Sequence, residues 1–187
     1  MESSSSSLVL HTAWQSSCSA RLRIALRLKN ITDVKEIYVN LIDEGQNSEE
    51  HRSVNPRMSV PVLQDRRTNA AFPITQSIAA LEYLEESFPS HRPLLPLRED
   101  AMSRAMVRML VNIIACDIQP LDQRRVSERL IELGGDPNEW KKHFTVDGLE
   151  AYERTLEKTA GKYSVGDISP WRMCAWYRQF GMRSELM

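Results

Sequence analysis

This chain of 187 residues has little of what builds disulfide frameworks, metal centres or membrane spans. Its three cysteines, Cys18, Cys116 and Cys174, stand far apart, which excludes an even disulfide framework and a CxxC redox pair. The four histidines, His11, His51, His91 and His143, show no metal-ligand spacing. No apolar run approaches the roughly 18 residues of a transmembrane helix. Excess charge is missing too: 24 basic residues face 25 acidic ones, which leaves no electrostatic footprint for nucleic acid. Met1-Glu2 and the run Ser3 to Ser7 lack the basic start and apolar core of a secretory leader, and residues 1–7 read as a disordered tail. These features lead us to expect a soluble protein of a reducing compartment, the cytosol, with neither membrane nor nucleic acid as partner.

What the chain does have is Ser16-Ser17-Cys18-Ser19-Ala20-Arg21, set between an apolar strand at Leu8–Leu10 and an amphipathic helix carrying Leu22, Ala25, Leu26 and Lys29. Three hydroxyls and a thiol thus crowd the first turn of a helix. Four backbone N–H groups lack intrahelical partners there, and the aligned peptide dipoles make the spot electropositive. Such a place suits a bound thiolate. Serines that merely cap a helix fit the same residues.

The first half alternates strand and helix. Leu8–Leu10 and Val34–Val39 read as strands flanking a helix over 17–29, and residues 47–53 as a short polar helix or turn. Val60–Leu63 and Ala70–Ile74 read as two further strands joined by the charged turn Asp65-Arg66-Arg67, before a helix over 77–87 with Ile78, Leu81 and Leu84 on one face. The stretch Phe88 to Pro96 then holds three of the nine prolines, as an interdomain linker would. Beyond it the period is purely helical. Met102, Met106, Met109, Leu110 and Ile113 form one apolar stripe, and Trp140, Phe144, Leu149, Tyr152 and Leu156 another; both read as core. Asp136-Pro137-Asn138-Glu139 opens the second helix with an acidic cap, Pro at the first position and Glu in the capping-box place.

Two more features bear on chemistry. Pro61 opens an apolar strand although proline cannot donate to a ladder. A cis Val60–Pro61 bond, turning the neighbouring backbone outward toward an extended ligand, accounts for this; a trans proline at a strand's first residue fits equally. Gln76-Ser77 stands where strand passes to helix, so Ser77 suits the N-cap and the N–H groups behind it suit a carboxylate.

Taken together, these pieces resemble the glutathione transferase superfamily, specifically its zeta class, the maleylacetoacetate isomerases. The resemblance is carried by the segment 16–26, Asn40-Leu41, Asn55-Pro56, Val60-Pro61, Gln76-Ser77, Tyr83-Leu84-Glu85-Glu86, Ile118-Gln119-Pro120-Leu121 and Gly161 to Asp167, and spans about residues 8–168. It implies an α/β thioredoxin-like glutathione-binding domain over 8–88, a linker over 89–97, a partial all-helical domain over 98–168 and a homodimer. It also implies glutathione as cofactor and a maleyl electrophile as substrate. By the same resemblance Ser17 supports the glutathione thiolate, with Ser16 and Cys18 beside it and Ser19, Ala20 and Arg21 completing the segment. Val60 pairs with the cysteinyl part, Gln76 and Ser77 hold the γ-glutamyl end, and Gln46 the glycyl end. Gln119 lies where the family lines its substrate pocket, while Gln123 and Arg125 replace a smaller polar pair. The implied reaction is the cis–trans isomerisation of maleylacetoacetate to fumarylacetoacetate, in aromatic amino-acid catabolism, alongside transferase activity. The alternatives are a catalytically incomplete glutathione-binding remnant and a glutathione-transferase-like interaction module.

The resemblance stops after Gly166-Asp167. The family continues there with a capping box that opens a buried helix, but Arg172 stands in place of the expected Asp, and Trp171 and Trp176 enter a short divergent tail, 169–187. Back-translation in a frame shifted by one nucleotide from the Pro170 codon permits LADVCLVPAVWDAERID. Placed after Ser169, that peptide restores the capping box and an apolar helix. We therefore expect the tail to be an out-of-frame ending.

Overall fold

The computed structural model describes residues 6–68 and 72–167. They fall into two compact units divided between Leu94 and Leu95, inside the proline-rich stretch. In the first unit the order is β1 (Leu8–Thr12), α1 (Ser17–Leu28), β2 (Val34–Tyr38), a 3₁₀ turn (Gly45–Asn47), α2 (Glu49–Val54), β3 (Val62–Asp65) and α3 (Ser77–Ser87). The sheet runs β2-β1-β3. Strand β1 pairs parallel with β2, from Leu8↔Val34 to Thr12↔Tyr38, and antiparallel with β3, from Leu8↔Asp65 to His11↔Val62.

All five residues of β1 are buried, as a central strand covered on both faces requires. Leu8, Leu10 and Leu63 meet Leu22, Ala25 and Leu26 of α1 and Ala80, Leu81 and Leu84 of α3 on one face. On the other, His11 faces His51 of α2 with ring centroids 5.8 Å apart. The expected layer of four strands appears as three strands and a bridge. Ile74 pairs antiparallel with Leu63 through reciprocal bonds of 3.0 and 2.8 Å, and residues 69–71 lie outside the described residues. Ser7, assigned by the sequence to the tail, is instead tied down. Its amide donates to Asp33 Oδ2 at 2.9 Å and its carbonyl accepts from Arg66 N at 2.8 Å.

In the second unit α4 (Ala101–Asn112) runs into a π-helical turn (Ile113–Ile118), followed by α5 (Arg124–Glu132) and α6 (Pro137–Thr159). The cap read at Asp136 is present: its carboxylate accepts from Asn138 N at 2.8 Å and Glu139 N at 3.4 Å, with Pro137 opening the helix. Of the stripe on α6 only Tyr152 is buried, with Gly148 beside it, while Trp140, Phe144, Leu149 and Leu156 are half-buried. The stripe on α4 is a correction. Met102 and Met109 are 67% and 46% exposed, whereas Val107, Leu110, Ile114 and Ile118 form the buried face. Apolar residues occupy more than half of this helix's circumference, so its pattern did not single out one face. Among the described residues no helix is long and apolar enough to cross a membrane. The tail at 169–187 lies outside the described residues.

Candidate functional site at the starts of two helices

Ser16 caps α1, its Oγ accepting from Ser19 N at 3.1 Å. Ser17 is therefore the first helical residue and Cys18 the second, both half-buried. Ala20 N closes the first turn on Ser16 O at 3.0 Å. The loop entering this turn is clamped from within. Arg23 Nη1 donates to Thr12 Oγ1 at 2.6 Å and to Ala13 O at 2.8 Å, and the buried Ser19 Oγ accepts from Ala13 N at 3.4 Å. Ser19 thus builds the loop, while Ser16, Ser17 and Cys18 edge the surface.

At the other helix start the structure corrects one expectation: Gln76 occupies the N-cap of α3 and Ser77 is its first helical residue. The reason lies far away in sequence. Ser77 Oγ accepts from Arg21 Nη1 at 3.1 Å, and both side chains are buried. The same Nη1 approaches Cys18 Sγ at 3.8 Å. Arg21 therefore joins the first turn of α1 to the first residue of α3.

Val60–Pro61 is cis. The turn before it is held by Asn55, whose Nδ2 donates to Ser59 O at 2.7 Å, and by His51 Nε2, 3.0 Å from the same oxygen. Because a carbonyl only accepts, His51 carries its proton on Nε2. Met58 enters the turn with φ of 53°, a left-handed conformation that a side chain rarely adopts. Among the described residues the Val60 backbone makes no hydrogen bond. Gln46 sits in the 3₁₀ turn that follows β2. Gly45 N donates to Asn40 O at 2.7 Å, an approach only glycine tolerates, since a Cβ would lie 2.9 Å from that oxygen. Gln46 Oε1 is buried and has no hydrogen-bond partner among the described residues.

The sheet register places these groups together. Parallel β1 and β2 end on the same side, Val39 N donating to Thr12 O at 2.8 Å, and antiparallel β3 begins there with Val62 opposite His11. Ser16, Ser17 and Cys18, the Gln46 turn and Val60 thus share one end of the sheet, and the Arg21–Ser77 bond adds the start of α3. Gln119 and Gln123 belong to the second unit, where Gln123 Nε2 donates to Gln119 O at 3.1 Å and Arg125 is exposed on α5. Among the described residues no cluster of His, Cys, Asp or Glu is arranged to hold a metal ion. His51, Asn55 and Arg23 also build this end of the sheet, though no catalytic or binding motif marks them as such. The Asn55-Pro56 motif marked the turn, but the contacts of His51 and Arg23 run to backbone atoms 8 and 10 residues away and leave no periodic trace.

The chain is similar to known proteins in sequence and in fold. Residues 15–87 match the family model of the glutathione S-transferase N-terminal domain. The maleylacetoacetate isomerase of Emericella nidulans is 44% identical over 164 residues, covering 86% of this chain and 71% of that relative. The holo structure of a bacterial zeta-class maleylpyruvate isomerase is 35% identical with a TM-score of 0.79, covering 92% of this chain and 81% of that one. A maleylacetoacetate isomerase from Anaeromyxobacter dehalogenans 2CP-1, solved with glutathione in its active site, is 32% identical with a TM-score of 0.76, covering 96% of this chain and 84% of that one. At these identities and coverages the chain belongs to the glutathione S-transferase family, in its zeta class.

Proposed function

We propose that this chain binds glutathione at the shared end of the sheet and isomerises a maleyl compound, maleylacetoacetate to fumarylacetoacetate, in aromatic amino-acid catabolism. The observation that carries this reading is the 3.1 Å bond from Arg21 to Ser77, which sets two electropositive helix starts side by side. One end of an extended peptide can then lie at α3 and its thiol at α1. Gln76, Ser77 and the free N–H groups behind them hold the γ-glutamyl carboxylate. The Val60 backbone pairs with the cysteinyl unit, and Gln46 takes the glycyl end. Two polar groups left over among the described residues support this reading: Gln46 Oε1 is buried without a partner, and the Val60 backbone is unpaired. Both are groups that a bound peptide would satisfy.

Glutathione, when bound, supplies a thiolate for reversible addition across the activated cis double bond, so that rotation and elimination give the trans isomer and return it unchanged. The residues of this chain make that thiolate accessible. The start of α1 favours the charged sulfur over the thiol, whose ordinary pKa is about 8.5. Ser17, in the first turn with its hydroxyl not used as the cap, donates a hydrogen bond to the anion. Ser16 holds the turn and Cys18 lies beside it. Gln119 is assigned to the electrophile, as the family resemblance implies.

The same reading makes the protein a homodimer of the cytosol. The exposed Met102 and Met109 of α4 are side chains that a second copy would cover, and isolated cysteines suit a reducing compartment. Retention on immobilised glutathione, elution by free glutathione and glutathione-dependent turnover of maleylacetoacetate test the activity. A chain that is neither retained nor active with glutathione overturns it.

A further inference from the structure

Arg21 has no contact role in the mechanism above, yet it is buried at 4% exposure where the two helix starts meet. Its Nη1 lies 3.1 Å from Ser77 Oγ. A guanidinium only donates and stays protonated at any working pH. The bond therefore occupies a lone pair of Ser77 Oγ and turns the hydroxyl hydrogen away from Arg21. Ser77 is the first residue of α3, so this hydrogen joins the unpaired N–H groups of that first turn in a set composed of donors alone. A donor set of this kind accepts a carboxylate and has nothing to offer an ammonium.

Resting on the glutathione reading of the site, we infer that Arg21 is a positioning residue for one group of the ligand, the α-carboxylate of the γ-glutamyl unit. It acts through Ser77, because its own side chain is covered. The consequence is selectivity: this chain should distinguish a tripeptide that carries the α-carboxylate from one that lacks it, and should lose that distinction with Arg21. The same Nη1 also lies 3.8 Å from Cys18 Sγ, so the guanidinium is held between the two helix starts.

The test is calorimetric titration of the full chain with glutathione and with 4-aminobutyryl-cysteinylglycine, the same tripeptide without the α-carboxylate. Wild type should bind glutathione at least about tenfold more tightly than the analogue, as a hydrogen bond to a charged group implies. Arg21→Met and Ser77→Ala should each weaken glutathione about tenfold. Both should leave the analogue within about twofold, and the double variant should be no weaker than Ser77→Ala. Should Arg21→Met fail to fold, Arg21→Gln, which keeps an amide donor at shorter reach, carries the same comparison. Equal weakening of both tripeptides by the Arg21 variants, with discrimination kept, would show that Arg21 only supports the fold and would overturn the inference. Equal binding of both tripeptides by wild type also overturns it while glutathione binding stands. Binding of neither removes the glutathione reading itself.

Discussion

Lys29 Nζ lies 3.0 Å from Glu85 Oε2, and the lysine side chain is wholly withdrawn from solvent. Lys29 closes α1 and Glu85 sits on α3, so the pair fastens the two helices that carry the site. The ammonium also donates to Arg92 O at 3.2 Å, and Glu85 Oε2 accepts from Leu94 N at 2.8 Å. A buried pair contributes little against a hydrophobic replacement, but breaking one side of it costs about 3–5 kcal/mol. Lys29→Met should therefore lower the urea-unfolding free energy by about 3 kcal/mol, and Lys29→Met with Glu85→Gln should recover part of the loss. A double variant no more stable than the single one would show that the charge pair is not what Lys29 contributes.

The π-helical turn is held by close backbone approach. A Cβ added at Gly148 would lie 2.3 Å from Ile118 Cγ1 and 2.7 Å from Cδ1. Gly148→Ala gains about 1 kcal/mol of helix propensity, yet the overlap forces α6 away from the turn, at a cost of about 1–3 kcal/mol. We expect a net loss of thermal stability, recovered in part by Ile118→Ala, which removes the atoms in the way. An alanine variant more stable than wild type would mean that the two elements part easily.

Much of the first unit was legible because local chemistry and burial agree there. Leu22, Ala25, Leu26 and Lys29 share one helix face and all four are buried. The Ser-Ser-Cys start, the Val60–Pro61 pair and the Gln76-Ser77 step stand where the fold needs them. What stayed hidden was set by distant partners. Ser77 reads as a cap, but a guanidinium 56 residues earlier claims its hydroxyl. Tertiary contact, absent from any local pattern, moved the cap to Gln76. Met102 and Met109 look like core beside Leu110 because apolar residues wrap most of α4, and only packing against the rest of its unit chooses Val107 and Ile114 instead.

His11 makes stability depend on pH. Burial lowers its pKa below the ordinary 6.5, against a raising hydrogen bond from Gln64; the neighbouring His51 lowers it further and Glu50 opposes. The folded chain thus prefers neutral His11, and below about pH 6.5 the unfolded chain binds more protons. The contribution is complete above that pH and is lost as pH falls through the folded value, with a slope of at most about 1.4 kcal/mol per pH unit for one proton. Asp65 acts in another window. Burial alone would raise its pKa, but hydrogen bonds from Arg67 and Tyr83 leave it below 3.8, so its contribution fades only in stronger acid. Thermal midpoints should fall between pH 7 and roughly 5.5, and His11→Gln should flatten that fall. Identical slopes for wild type and variant would assign the effect to other groups.

Ser17 offers the sharpest separation of chemistry from structure, because its neighbour carries the cap. Ser16 Oγ accepts from Ser19 N, so Ser16→Ala removes a cap bond and should cost about 1 kcal/mol of stability. Ser17→Ala leaves that bond in place, and its effect should fall on rate. A hydroxyl that stabilises the thiolate in a site already arranged for it contributes roughly 10²–10³ in turnover. Glutathione affinity, supplied by Val60, Gln76, Ser77 and Gln46, should fall by less than about fivefold, the scale of one modest hydrogen bond. Steady-state isomerisation at saturating glutathione, read beside the thermal midpoints of both alanine variants, makes the comparison. If Ser17→Ala turns over like wild type while Ser16→Ala unfolds earlier, Ser17 is only part of the helix start. The hydroxyl that serves the sulfur must then be sought elsewhere on that turn.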